Sequence, residues 1–286
     1  MAELLKGKPV ADALSAKVRN EVERLKAHNI TPTLGIIRVG ENESDLSYER
    51  GALKRCESTG VQVKRIILPG DVSKEDFYKA VDEANADESI HGILMFRPVP
   101  RHLDRERARV AVAYEKDLDG CTDGSLAGVF TNTPKGFAPC TAQAVIEMFD
   151  YYGIDLTGKN VTVVGRSLVV GKPLALLLMN RNATVTVCHT RTVDIPSKTR
   201  NADIVVLAAG QPEQFGREYF REGQIVADVG ISWSEAKQKI TGDVKFDEVE
   251  PLVSMITPVP GGVGSVTTSV LVTNVVTAAK RAAGIE

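Results

Sequence analysis

The sequence lacks the features of a secreted, membrane-embedded or metal-clustered protein. Its 286 residues contain only four cysteines, and no two of them form a C-x-x-C pair. Neither a disulfide framework nor a zinc knuckle is therefore expected, and no metal site is predicted. The longest apolar runs fall far below the roughly 20 residues that span a bilayer. The N-terminus has no apolar signal core, so a cytoplasmic location without membrane association is predicted.

An excess of charge of one sign is also lacking. The 35 Lys and Arg residues nearly balance the 37 Asp and Glu residues, which gives a formal net charge of -2. Because no basic stripe is present, nucleic acid is not an expected partner. The apolar fraction of 43% and the charged fraction of 25% are ordinary for a globular protein, and the length allows one or two well-buried domains.

The second half of the chain carries the clearest strand pattern. It contains short runs of Val, Ile, Ala and Leu with little alternation, which are typical of strands buried on both faces of a parallel sheet. These runs are residues 160–165, 182–189, 202–210, 224–230 and 254–257. The segments between them are long enough for crossover helices, so the pattern predicts a Rossmann-type doubly wound sheet.

The first half repeats this alternation of strands and helices more loosely. Strands are expected at residues 33–39, 61–68 and 92–96. Helices are expected at residues 44–58, 74–86 and 104–114, and at residues 142–152 where the halves join. In the second half, helices are expected at residues 172–179 and 268–283. The predicted fold class is therefore α/β, and the pattern alone leaves open which half the last helix packs on.

A glycine-containing turn, Gly165–Pro173, follows the first strand of the second half directly. A pyrophosphate binds at such a place, because backbone N–H groups and the helix dipole face the anion. The spacing departs from G-x-G-x-x-G, since Ser167 and Val170 stand at the second and third glycine positions. An ordinary tight turn is the alternative, but the surrounding βαβ series favours dinucleotide binding. The candidate residues are Gly165, Arg166, Ser167, Val170 and Gly171.

The end of the next strand indicates which dinucleotide is bound. NAD enzymes usually place an acid there to hold the ribose 2′-OH, whereas NADP enzymes use basic groups. Here Thr190 and Arg191 follow the strand, and no acid appears before Asp194. Arg166 could complete a clamp on a 2′-phosphate. The sequence therefore favours NADP over NAD. The alternative is that Arg191 is an ordinary solvated loop arginine with no role in binding. His189, at the end of the strand, is assigned no catalytic role.

A segment rich in proline and glycine, Thr257–Gly264 (TPVPGGVG), follows the last predicted strand. It resembles the signature of the methylenetetrahydrofolate dehydrogenase/cyclohydrolase family (the FolD type). The other pieces that match in order are Lys116–Gly120, Pro139–Thr141, Gly165–Pro173, Gly210–Pro212 and Asp228–Ile231. The resemblance covers essentially the whole chain, and the combination is specific although each piece alone is not.

The resemblance implies two α/β domains that flank a cleft, with the final helix returning to the first domain. Residues 1–141 plus 268–286 would bind folate, and residues 142–267 would form the Rossmann domain for NAD(P). Hydride would pass from 5,10-methylenetetrahydrofolate to NAD(P)+. Most members then hydrolyse the methenyl product to 10-formyltetrahydrofolate in the same site. A homodimer through the cofactor domain is also implied.

The resemblance further implies roles for individual residues. Tyr48 would stack on the folate and Asp119 would anchor the pterin ring, so both are assigned as catalytic and substrate-binding residues. Without the resemblance, Asp119 is interpreted as a turn residue before Gly120. The remaining assignments are Pro258, Gly261 and Gly262 for the substrate, and Gly210, Gly230 and Ile231 for the cofactor.

Two positions depart from the family pattern. The family carries Tyr-x-x-x-Lys on a helix, and its lysine is central to the cyclohydrolase step; here Ala52 stands four residues after Tyr48. The family glutamine that hydrogen-bonds this lysine is replaced by Phe96. At about 100° per residue, Lys54 points away from the Tyr48 face of the helix.

These departures predict a dehydrogenase with weak or no cyclohydrolase activity. Arg55 or Arg97 could reshape the site for hydrolysis, although a guanidinium cannot shuttle protons at neutral pH. The alternatives are the bifunctional enzyme, a non-catalytic protein that binds folate or NADP, and another two-domain NADP enzyme of the shikimate dehydrogenase type. Ala52 and Phe96 disfavour the first, and segment 257–264 disfavours the last.

Overall fold

The computed structural model describes residues 1–235 and 237–285. In chain order the elements are β1 (Glu3–Leu4), α1 (Gly7–Lys26), β2 (Thr33–Val39), α2 (Glu43–Thr59), β3 (Gln62–Leu68), α3 (Lys74–Ala86), β4 (Gly92–Met95), α4 (Arg105–Arg109), α5 (Asp123–Thr131), α6 (Cys140–Tyr151), β5 (Asn160–Val164), α7 (Gly171–Asn180), β6 (Thr184–Cys188), α8 (Ile195–Arg200), β7 (Ile204–Leu207), β8 (Ile225–Asp228), β9 (Ser232–Ser234), β10 (Lys239–Thr241), α9 (Phe246–Val249), β11 (Met255–Ile256) and α10 (Thr267–Ala282). The α/β class predicted from the sequence is confirmed.

The chain forms two compact units. One contains Met1–Ala11 and Thr141–Thr267, and the other contains Asp12–Cys140 and the chain from Thr268 onward. We call them the six-stranded unit and the three-stranded unit. The predicted division placed residues 1–11 in the first domain. They belong instead to the six-stranded unit, because β1 pairs in parallel with β11 at the edge of its sheet.

The sheet of the six-stranded unit has the order β1-β11-β8-β7-β5-β6, and all of its neighbouring strands are parallel. The four residues of β7 are buried, as the absence of alternation predicted. Chain order reverses at β5, whose neighbours are β6 and β7. Ligands of open α/β sheets bind beyond the carboxyl ends of the strands at such a switch point. The predicted parallel sheet is thus confirmed, and its switch point lies at the end of β5.

The three-stranded unit has the parallel order β3-β2-β4. Its central strand β2 buries Leu34, Ile36 and Ile37 completely. The final helix α10 belongs to this unit, where Asn274 donates a hydrogen bond of 3.0 Å to the Leu118 carbonyl. The sequence pattern left open which half of the chain α10 packs on, and contacts with residues far away in the sequence decide this.

The helix predicted at residues 104–114 is shorter than expected and spans only Arg105–Arg109. The side chain of Asn85 provides the reason. It donates to the Ala111 carbonyl at 2.8 Å and accepts from the Ala113 N–H at 2.9 Å, so these backbone groups are satisfied outside a helix.

No helix within the described ranges is long and apolar enough to cross a bilayer.

Candidate functional site

The turn after β5 is built on two close backbone approaches. Gly165 has φ +134°, and a Cβ at this position would overlap the Ala208 carbonyl oxygen. Gly171, the first residue of α7, approaches the Gly165 carbonyl so closely that a Cβ there would overlap it. Both glycines are therefore required sterically. The turn leads from the switch point of the sheet into the N-terminus of a helix, which is the geometry that binds a phosphate.

Ser167 organises the same turn in place of the second glycine of G-x-G-x-x-G. Its Oγ accepts the N–H of Val170 at 3.0 Å and the N–H of Gly171 at 3.5 Å. Its carbonyl accepts the Lys172 N–H at 3.0 Å. Arg166 and Ser167 are exposed. The departure from the glycine pattern therefore leaves the strand–turn–helix arrangement in place.

The turn after β6 presents two exposed residues, Thr190 and Arg191. The ring Nδ1 of His189 accepts the backbone N–H of Arg191 at 3.1 Å. His189 is thus engaged in holding the turn. Asp194 is engaged as the N-cap of α8, where its carboxylate accepts the Ser197 N–H at 3.1 Å.

The loops after β7 and β8 carry the other predicted cofactor residues. Gly210 has φ +64°, and no atom lies within 4 Å of the place where a Cβ would stand. Gly230 is buried, whereas the side chain of Ile231 is 60% exposed. Because these strands are parallel, both loops lie at the same edge of the sheet as the turn after β5.

Sequence reasoning assigned no role to two buried acids that join these loops, Asp228 at the end of β8 and Asp243 just after β10. Their exposed fractions are 3% and 0%. Burial raises the pKa of Asp228 to about 7, and backbone N–H donors oppose this change. Burial also raises the pKa of Asp243, again against N–H donors. A sequence carries no pattern for such pairs, since the two residues meet only through the topology.

The proline- and glycine-rich loop follows β11 at this same edge. Its carbonyl at Gly261 accepts the Gly7 N–H at 2.8 Å. The hydroxyl of Thr257 accepts the Asp228 N–H at 2.7 Å. Gly262 is buried, and Pro258 is partly buried. The loop is therefore held by hydrogen bonds within the six-stranded unit.

In the three-stranded unit, Tyr48 lies on α2 and Phe96 directly follows β4. Both side chains are half-buried, and their rings meet edge to face with centroids 6.0 Å apart. Ala52, one turn after Tyr48, is completely buried. Neither the Ala52 methyl group nor the Phe96 ring contains a group that donates or accepts a proton in acid–base catalysis.

Asp119 forms an ion pair with Arg97, which follows Phe96. The Arg97 Nη2 lies 2.8 Å from the Asp119 Oδ2, and the two side chains are 22% and 26% exposed. Burial raises the pKa of Asp119 above its ordinary value, and the Arg97 charge opposes that shift. Burial, and to a smaller extent the nearby Asp119 carboxylate, raises the pKa of the Cys121 thiol to about 12. Cys121 is therefore neutral at physiological pH.

The other two basic residues considered on α2 are placed differently. Lys54 is exposed. Arg55 donates a hydrogen bond of 2.9 Å to the Ser15 hydroxyl on α1. The guanidinium of Arg55 is thus engaged in packing α2 against α1.

Two family models cover most of the chain. The NAD(P)-binding domain of tetrahydrofolate dehydrogenase/cyclohydrolase matches residues 139–283, and the catalytic domain of the same family matches residues 5–119. The chain belongs to the tetrahydrofolate dehydrogenase/cyclohydrolase family. The resemblance found in the sequence is thereby confirmed at the level of the family.

Named relatives agree with this assignment. The chain is 52% identical to a bifunctional protein FolD of Carboxydothermus hydrogenoformans over 95% of each protein. A FolD structure from Campylobacter jejuni superposes with a TM-score of 0.95 at 36% identity and covers 98% of this chain and 99% of its own. A Trypanosoma brucei FolD complexed with NADP and an inhibitor gives a TM-score of 0.91 at 35% identity, with 99% and 98% covered.

Family membership assigns a dehydrogenase with an NAD(P)-binding domain to this chain. The model for that domain falls largely on the six-stranded unit, which holds the turn after β5. The model for the catalytic domain ends at Asp119 and includes Tyr48, Ala52 and Phe96.

Proposed function

We propose that this chain is an NADP-dependent 5,10-methylenetetrahydrofolate dehydrogenase with weak or no cyclohydrolase activity. The observation that carries the second half of the proposal is the pair Ala52 and Phe96. They stand where the resemblance places the lysine and glutamine of the hydrolytic step. Ala52 is completely buried, and the Phe96 ring lies against Tyr48.

The cofactor is assigned to the six-stranded unit. Gly165 and Gly171 permit the tight turn at the switch point, where a Cβ would overlap neighbouring backbone, and Gly210 has φ +64° with open space at its Cβ position. When bound, NADP+ supplies the hydride acceptor. Arg166 and Arg191 would hold its 2′-phosphate, because both are exposed and, within the described ranges, their guanidinium groups have no hydrogen-bonding partner. The NADP complex of the trypanosomal relative supports this choice over NAD.

The folate is assigned to Tyr48 and Asp119, together with Pro258, Gly261 and Gly262. A carboxylate accepts hydrogen bonds only, and it has about four lone-pair positions. Arg97 takes a position on Oδ2, which leaves others for the amide-like edge of a pterin. Arg97 also holds the carboxylate in place, so that Asp119 does not have to be ordered when the substrate arrives.

Hydrolysis of the methenyl product requires a group that activates water and moves protons. The residues at the two family positions provide none. Arg97 is paired with Asp119, and Arg55 is bound to Ser15. Both guanidinium groups stay protonated at neutral pH, so neither is a general base.

A bifunctional dehydrogenase/cyclohydrolase is the second candidate. It is favoured by the names of the relatives, including the Carboxydothermus hydrogenoformans protein at 52% identity. For this candidate to hold, water would have to be activated without the lysine and glutamine of the family. We further propose a homodimer, on the strength of the family resemblance.

The dehydrogenase proposal is tested by adding 5,10-methylenetetrahydrofolate and either NADP+ or NAD+ to the purified protein. Formation of methenyltetrahydrofolate is followed by its near-ultraviolet absorbance. We expect product with NADP+, and a kcat/KM at least about 30-fold lower with NAD+, the effect of losing one charge-assisted contact of ~2 kcal/mol. No product with either cofactor would contradict the proposal and favour a binding protein.

A further inference from the structure

Asp243 connects the hairpin β9–β10 to the loop after β7. Its carboxylate accepts three successive backbone N–H groups, from Ala209 at 2.6 Å, Gly210 at 3.0 Å and Gln211 at 2.7 Å. Hydrogen bonds from three backbone N–H groups to one carboxylate are charge-assisted and therefore strong. The backbone of the Gly210 loop is therefore fixed by a side chain 33 residues further along the chain.

Asp228 fixes the hairpin end in the same manner. Its carboxylate accepts the N–H groups of Gly230 at 3.0 Å, Asp243 at 3.0 Å and Val244 at 2.9 Å. One of these donors is the backbone of Asp243 itself. The two acids thus act in series, with Asp228 holding Asp243 and Asp243 holding the loop after β7.

Two glycines make room for these carboxylates. A Cβ at Gly230 would overlap the Asp243 carboxyl, and a Cβ at Gly242 would overlap the Asp228 carboxyl. Gly230 therefore contacts both acids, since its N–H is bonded to Asp228. The loops after β7 and β8 are joined into one assembly at the carboxyl edge of the sheet.

We propose that Asp243, supported by Asp228, is a positioning residue for NADP binding. It would set the backbone geometry of the loops that carry Gly210 and Gly230. The inference rests on the proposed function, which assigns these two glycines to the cofactor.

The burial of the two acids argues that they act through the loops and not by touching the cofactor. Asp243 is 0% exposed and Asp228 is 3% exposed. An anionic side chain facing the phosphates would also repel them, whereas these carboxylates are turned toward amide donors. A loop fixed before binding loses less conformational entropy when the ligand arrives, so loosening it weakens affinity without changing the hydride step.

The test uses Asp243→Asn, which conserves shape but replaces one acceptor oxygen with an NH2 group. Because Oδ2 accepts two of the N–H groups and Oδ1 the third, the amide keeps at most two of the three bonds. The matched control is Asp203→Asn. Asp203 also accepts a backbone N–H, from Asn160 at 2.9 Å, but it lies at the amino ends of β5 and β7, the opposite edge of the sheet.

For Asp243→Asn we expect the KM and the calorimetric Kd for NADP+ to rise about 10-fold, the effect of losing about one such hydrogen bond. The kcat and the KM for the folate should stay within about twofold, because the substitution weakens cofactor binding equally in the ground state and in the transition state. Without any cofactor, backbone amide exchange should become faster at residues 209–211. Asp203→Asn should leave all of these values unchanged.

Unchanged affinity for NADP+ in Asp243→Asn would overturn the inference, as would unchanged exchange at residues 209–211. A parallel loss of kcat and of affinity for both ligands would also overturn it, because that is the result of a general structural defect. If the variant does not fold, the wild-type protein decides: saturating NADP+ must slow amide exchange at residues 209–211 and 230. Failure of the wild type to bind NADP+ would instead contradict the proposed function.

Discussion

Replacing Asp119 with alanine is expected to lower kcat/KM for 5,10-methylenetetrahydrofolate by about 100-fold. Loss of a hydrogen bond to a charged group costs ~2–3 kcal/mol, and each 1.4 kcal/mol is tenfold. The variant also leaves the Arg97 guanidinium, which is 22% exposed, without its partner. Affinity for NADP+ should not change, since the cofactor is assigned to the other unit. Steady-state kinetics with both substrates measure the effect.

Three further variants make the Asp119 result specific. Asp123→Ala removes another carboxylate that is paired with an arginine, Arg109 at 2.8 Å, but is 75% exposed; it should have full activity. Asp119→Asn should be intermediate. The unpartnered Arg97 guanidinium should also lower the stability of Asp119→Ala. Combining Arg97→Leu with Asp119→Ala removes both charges, and should restore this stability but not the activity. Full activity of Asp119→Ala would show that this carboxylate does not anchor the substrate.

Replacing Arg191 with alanine is expected to lower kcat/KM for NADP+ by about 30-fold, as removal of a charge-assisted bond of ~2 kcal/mol predicts. The value for NAD+ should stay the same, because NAD+ has no 2′-phosphate. The ratio of the two values is therefore the decisive quantity. Since the His189 ring accepts the backbone N–H of Arg191, the turn should persist in the variant.

Lys159→Ala is the matched control for Arg191→Ala. Lys159 is also an exposed cation of the six-stranded unit, but it precedes β5 at the amino edge of the sheet. Its loss should leave the ratio between the cofactors unchanged. Equal losses for NADP+ and NAD+ in Arg191→Ala would contradict a role in binding the 2′-phosphate.

Most of the sheet could be predicted from the sequence because burial on both faces leaves a simple pattern. Continuous runs of β-branched residues gave β5 and β7 to within a few residues. Helix α1 was missed, although Val10, Leu14, Val18 and Val22 recur at every fourth residue and are buried. This spacing is a readable signal of one apolar helix face.

Other features could not be predicted because they arise only when distant segments meet. Strand β1 has two residues and is ordered by β11, more than 250 positions away. The Arg97–Asp119 ion pair joins residues that follow different elements. The buried pair Asp228 and Asp243 satisfies backbone amides, and a sequence does not show which amides lack partners. These contacts belong to tertiary structure, so local patterns do not encode them.

The central claim concerns Ala52 and Phe96, and the decay of methenyltetrahydrofolate tests it most directly. The dehydrogenase reaction is run to completion with NADP+, the oxidised cofactor is removed, and the absorbance of the methenyl product is followed with and without the protein. Our account predicts that the product accumulates and decays at the rate of the buffer alone. Rapid decay that depends on the protein would contradict it and establish a bifunctional enzyme that hydrolyses without the lysine and glutamine of the family.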